Sequence, residues 1–156
     1  MEWLLHWIDF HVLAAHAAKV ALAYLLALPV GWEREQAMHS VGVRTFPLVA
    51  MASCGYVLLA DSATGSDPAA RSRIIQGLTT GIGFIGGGAI MQSRGNVHGT
   101  ATAASIWNTG VIGAAVAEAH YETAIILSLL NLITLRLLLP LKGRIDNRRN
   151  RNSDDR

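Results

Sequence analysis

Apolar residues run in five long blocks along this chain, at about 12–31, 46–60, 74–91, 101–117 and 121–139, with polar residues gathered between them. Each block approaches the roughly 20 residues that an α-helix needs to cross a bilayer. The pattern predicts an all-α membrane protein, a bundle of about five transmembrane helices. Pro47 opens the second block, where a first-turn proline is tolerated. Only Glu118-Ala-His-Tyr-Glu122 separates the fourth block from the fifth, which predicts a tight helical hairpin.

The third block is the densest in glycine: Gly77, Gly81, Gly83, Gly86, Gly87 and Gly88 fall within it. Gly77/Gly81 and Gly83/Gly87 have the GxxxG spacing that lets helices approach closely. This helix is therefore expected to pack against the chain's other helices or against a partner's helix. Gly81-x-Gly83-x-x-Gly86 also fits a dinucleotide fingerprint. That motif needs an acid about 20 residues further on, and residues 99–117 hold no Asp or Glu. The transmembrane reading is preferred.

Half the chain is apolar and only 15% is charged, so the placement of charge says more than its total. Arg34 and Arg44 follow the first block, Arg94 the third, and Lys142, Arg144, Arg148, Arg149, Arg151 and Arg156 the fifth. The other side carries only Arg71 and Arg73, offset by Asp61 and Asp67. The positive-inside rule then puts the N-terminus outside and the C-terminus in the cytoplasm. Met1–Val12 lacks the basic residue of a signal peptide, and its Trp3, Trp7 and Phe10 suit a membrane interface. The chain divides into a transmembrane domain, 1–141, and a basic tail, 142–156. From Asn147 the tail has no apolar residue and is expected to be disordered. It is too short for a nucleic-acid role.

The richest polar cluster is Glu33-Arg34-Glu35 with Arg44 and Thr45. Charges so close to apolar segments need partners. They form either a salt-bridged collar pinning helix ends or a cytoplasmic docking surface. Two carboxylates could also hold a hard cation. Within the blocks, Lys19, Thr102, Trp107, Asn108, Gln76, Thr79, Thr80, Ser105 and Asn131 are polar or amphipathic positions, and Arg73 flanks the third. Lys19 either snorkels to the interface or finds a counter-charge. The single cysteine, Cys54, excludes an internal disulfide. No catalytic, metal or cofactor motif stands out, which argues against an enzyme.

Four ordered stretches resemble the MgtC/SapB family of bacterial inner-membrane proteins. They are Gly31-Trp-Glu33-Arg34-Glu35; Val41-Gly42-Val43-Arg44-Thr45; Gly81-Ile-Gly83-Phe84-Ile85-Gly86-Gly87-Gly88; and Asn96-Val97-His98-Gly99 with Thr102-Ala103-Ala104-Ser105-Ile106-Trp107. Ala37, His39, Gln92 and His98 stand where the family tends to be basic. The resemblance implies a multi-pass inner-membrane protein linked to magnesium homeostasis, acid or host stress and virulence. It further implies action through other membrane proteins, including the ATP synthase, and no enzymatic activity or cofactor. The rival expectation is a small cation or proton transporter working as a homo-oligomer. A plain structural bundle is a third.

Overall fold

The computed structural model describes residues 9–38, 42–65, 67–93 and 96–154, with side chains described no further than Leu137. Five helices carry the fold among these residues: α1 (Phe10–Met38), α2 (Thr45–Thr64), α3 (Pro68–Gly88), α4 (Thr100–Ala117) and α5 (Tyr121–Asp154). A short antiparallel ribbon, β1 (Met91–Ser93) with β2 (Asn96–His98), links α3 to α4. Gln92 pairs with Val97 across it.

Local chemistry sets the helix starts. Asp9 Oδ1 accepts from His11 N–H at 2.9 Å, so its carboxylate caps α1. Asp67 accepts from Ala69 N–H at 2.9 Å and Pro68 follows at the first helical position. Gly99 precedes α4 at φ 85°, and a Cβ there would overlap the Ala89 carbonyl oxygen. Only glycine fits that junction.

The expected hairpin between the last two helices is present. Glu118, Ala119 and His120 donate their N–H groups back to Ala114, Val116 and Ala115 carbonyls, closing α4 before α5 starts. The third helix stops at Gly88, short of the expected Met91, because Ala89 and Ile90 turn back on Gly86 and Gly87 and the chain enters β1. The backbone of α5 stays helical through Asp154, where the sequence predicts a disordered tail. Its ladder needs no apolar face, and basic residues suit the negative end of the helix dipole.

Two apolar clusters run down the bundle. One joins Ala23 and Ala27 of α1 to Ala50, Cys54 and Val57 of α2 and Ile112 and Val116 of α4. The other joins Val30, Phe46, Val49, Ile82, Ile106 and Leu135. Close helix approach is set by Gly113, where a Cβ would overlap the Ala50 carbonyl, and by Gly110, which sits under Ile82. Any side chain at Gly113 would push α2 from α4.

Many large apolar side chains face outward, including Leu25, Leu48, Leu59, Ile126, Leu130 and Leu137. Phe84 is 85% exposed. α1 over Phe10–Gln36 and α2 over Thr45–Thr64 are long and apolar enough to cross a membrane.

Candidate functional site

The Glu-Arg-Glu run lies on the last turns of α1, and consecutive helical positions send its side chains in different directions. Glu33 Oε2 accepts from Arg136 Nε of α5 at 2.7 Å. Glu35 Oε2 accepts from Val43 N–H at 3.1 Å, in the link to α2. Gly42 lies against the Glu35 side chain, and a Cβ there would come within 2.7 Å of Glu35 Cα. One turn earlier, a Cβ on Gly31 would meet the Gly42 oxygen and Val43 Cα at 3.1 Å. Both glycines serve the same close contact, and the two acids tie α1 to α5 and to the start of α2. The carboxylates point to opposite sides of α1 and are separately engaged, so they do not converge on one cation.

Arg34 lies between them and is 2% exposed. Its Nε and Nη2 are buried without a hydrogen-bond partner among the described residues. Arg44 is exposed at the N-cap of α2, and its side chain makes no capping bond. Thr45, the first residue of α2, is half-buried. Trp32 is exposed beside them. The collar thus unites Glu33, Glu35 and the Gly42–Val43 link, while Arg44 remains on the surface.

The opposite end of the bundle is tied differently. Lys19 Nζ donates to the Ala117 carbonyl at 2.7 Å. The ammonium therefore completes the C-terminus of α4, where a cation suits the helix dipole, instead of only snorkelling. Arg71, on the first turn of α3, hydrogen-bonds Glu118 and lies 2.9 Å from Asp61 Oδ1. The Glu118 hydrogen bond, reinforced by its charge and that of Asp61, raises the Arg71 pKa above the ordinary arginine value. Arg73 is exposed; Arg71 is the arginine that meets the acids.

Inside the bundle, Asn108 Nδ2 donates to the Leu127 carbonyl at 3.3 Å. Ser105 Oγ donates to Asn131 Oδ1 at 2.9 Å, and Ser128 Oγ to the Leu26 carbonyl at 2.6 Å. Thr102 is buried and Trp107 half-exposed. The Asn108, Ser105, Asn131 and Ser128 side chains are thus satisfied across helices, which removes the cost of burying them among apolar groups.

The glycine expectation needs correction within the chain. Only Gly86 has a close neighbour, the Ala103 oxygen at 3.2 Å from a Cβ built there. Gly77, Gly81, Gly83, Gly87 and Gly88 have open space where a Cβ would stand, and Gly77 and Gly81 line a cavity of about 480 Å³ with Val49, Ser53 and Tyr56 of α2. Sequence reasoning also missed Arg136, whose signal was a lone charge inside the apolar run Leu130–Leu139.

Comparison with known proteins fits this geometry to a family. The chain is 34% identical over 129 residues to Protein SrpB of Synechococcus elongatus, covering 75% of this chain and 71% of SrpB. It is 32% identical over 139 residues to YhiD of Escherichia coli K12, covering 83% of this chain and 63% of YhiD. It is 32% identical over 124 residues to Protein MgtC of Salmonella typhimurium, covering 80% of this chain but 52% of that protein. The chain thus spans about half the length of that MgtC protein. No solved structure matches. The MgtC family model covers residues 20–144, a span holding the α1 collar, the α3 glycines and the Arg136 partner, and the chain belongs to the MgtC family.

Proposed function

We propose that this chain is a non-enzymatic regulator of the bacterial inner membrane that works by binding other membrane proteins, the rotary ATP synthase first among them. The setting is adaptation to low magnesium, acid or host stress. In this reading all five helices cross the bilayer and the collar faces the cytoplasm.

One observation supports the reading above the others. The collar ties the end of α1 to α2 and α5, yet Arg44 and Trp32 remain exposed beside it. A tied frame that presents an exposed cation and an aromatic is suited to docking, because Arg and Trp dominate binding energy at many interfaces. Arg44→Gln is expected to lose partner capture in pull-downs from solubilised membranes while thermal stability holds. Unchanged capture would remove Arg44 from the docking face. Glu33→Gln should weaken capture more modestly, by loosening the frame, and leave liposomes ion-tight.

A second reading, an oligomeric cation or proton transporter, draws on a different observation. Ser72, Gln76, Thr79 and Thr80 line an open cavity of about 780 Å³ on the outer face of α3. A pathway there would form between copies. In that case Gln76→Leu would abolish flux through purified protein in liposomes, and the regulatory reading predicts no flux to abolish.

A further inference from the structure

Arg34 is a buried arginine whose Nε and Nη2 have no hydrogen-bond partner among the described residues, whereas the similarly placed Nε of half-buried Arg71 lies 2.9 Å from Asp61 Oδ1. The placement of Arg34 follows from its helix. Ala23, Ala27, Val30 and Arg34 share one face of α1 by their spacing, and all are buried at 2% exposure or less. That face meets α2 and α4 through the two apolar clusters.

Depth follows from register. Lys19 on α1 touches Ala117 on α4, and the two helices run antiparallel. From Lys19 to Arg34 and from Ala117 back to Thr102 the residue counts are equal, about 22 Å along each helix. Val30 and Ile106, one turn deeper on each helix, belong to the same cluster. Arg34 therefore lies on the buried face of α1 at the level of the first turn of α4.

The first turn of α4 is built of small residues. Its N-cap is Gly99, which offers no side-chain cap. The first-turn residues Ala101 and Ala103 are small, and Thr102 brings a hydroxyl that is 97% buried with its residue (3% exposed). The first N–H groups of a helix have no intrahelical acceptor and attract anions. A buried cation level with a helix N-terminus sets two positive features at one depth, and the Arg34 Nε and Nη2 have no hydrogen-bond partner among the described residues.

We propose that Arg34 and the N-terminus of α4 form a binding site for a phosphate group. A tetrahedral oxyanion has enough oxygens to engage the guanidinium fork and the helix N–H groups together, whereas a carboxylate would fill one of them. Trp32 and Trp107, both exposed, mark this level as the membrane interface. A phospholipid headgroup and free phosphate both reach it. The site is separate from the docking face at Arg44 and does not rest on the regulatory reading.

The test uses the purified 156-residue chain, delipidated in a neutral detergent. Thermal unfolding is followed while inorganic phosphate, or separately short-chain phosphatidylglycerol, is titrated at constant ionic strength set with chloride. A saturable rise in Tm is expected with at least one probe. Its midpoint should move about tenfold or more in R34Q and less in R34K. Saturation by inorganic phosphate assigns the free anion; saturation by the lipid alone assigns the headgroup. No saturable rise with either probe, or an unmoved midpoint in R34Q, overturns the site. Should R34Q fail to fold, native mass spectrometry of wild type and R34K decides. One phosphorus-containing adduct on wild type, released more easily from R34K, supports the site, and bare wild type or equal release overturns it.

Discussion

The two ends of this bundle handle charge by opposite means. At the end holding Lys19, Arg71 and Glu118, charges sit in partial contact with solvent and each meets a partner, an acid or a helix-terminal carbonyl. At the end holding Glu33, Arg34 and Glu35, the acids are engaged but the central arginine is buried without one. The first arrangement is explained by structure alone, since it completes α4 and joins the ends of α2, α3 and α4. The second leaves an unmet charge that burial makes costly. Unmet burial of that kind is where binding is to be sought.

The comparison can be broken most forcefully at Gly42. Gly42→Val drives a side chain into Glu35 and should destabilise the bundle by about 1–3 kcal/mol or more, seen as a lower Tm. A neutral result would mean that the collar does not hold α1 to α2. Arg34→Met sharpens the contrast from the other direction. In phosphate-free detergent it should leave stability unchanged or raise it, by about 1–4 kcal/mol at most, because an unpaired buried charge is replaced by an apolar group of similar length. A sharp loss of Tm would show that Arg34 is already paired.

Effects at the Lys19 end should be smaller. Lys19→Met removes the cation from the Ala117 carbonyl and should cost about 1 kcal/mol. Arg71→Gln should lower Tm less than Lys19→Met, since its ion pairs are partly exposed and screened. The raised Arg71 pKa fixes the sign of the alkaline response. A cation with a raised folded-state pKa contributes fully below its unfolded pKa and loses that contribution only as pH rises through the folded value. For arginine this lies beyond the working range, so wild type and Arg71→Gln should show the same Tm difference at pH 7 and pH 10. Equal Tm values for wild type and Arg71→Gln at pH 7 would contradict the pairing.

Much of the helix order was legible because each apolar block ends at polar or glycine-containing links, as at Asp67-Pro68 and Glu118–His120. The extension of α1 through Pro29 to Met38 was less so, since Glu33, Arg34 and Glu35 look like a helix exit until Arg136 and Val43 are seen to receive the acids. Contacts between distant segments leave no local trace. For the same reason GxxxG spacing marked a face of α3 without saying what covers it. Of the glycines that bring backbones together, only Gly86 lies in that stretch, and Gly31, Gly42 and Gly113 stand apart from it. The polar cluster at residues 33–45 was found from composition. Which member is unpaired emerged only from the packing.

The central functional claim is restraint of another membrane protein, and inverted membrane vesicles with and without this chain test it most directly. ATP hydrolysis and ATP-driven proton accumulation would be followed in the same preparation. The regulatory reading predicts that both fall together when the protein is present, and that Arg44→Gln restores both. A fall in accumulation while hydrolysis holds or rises would mean a leak through the chain, and would contradict it.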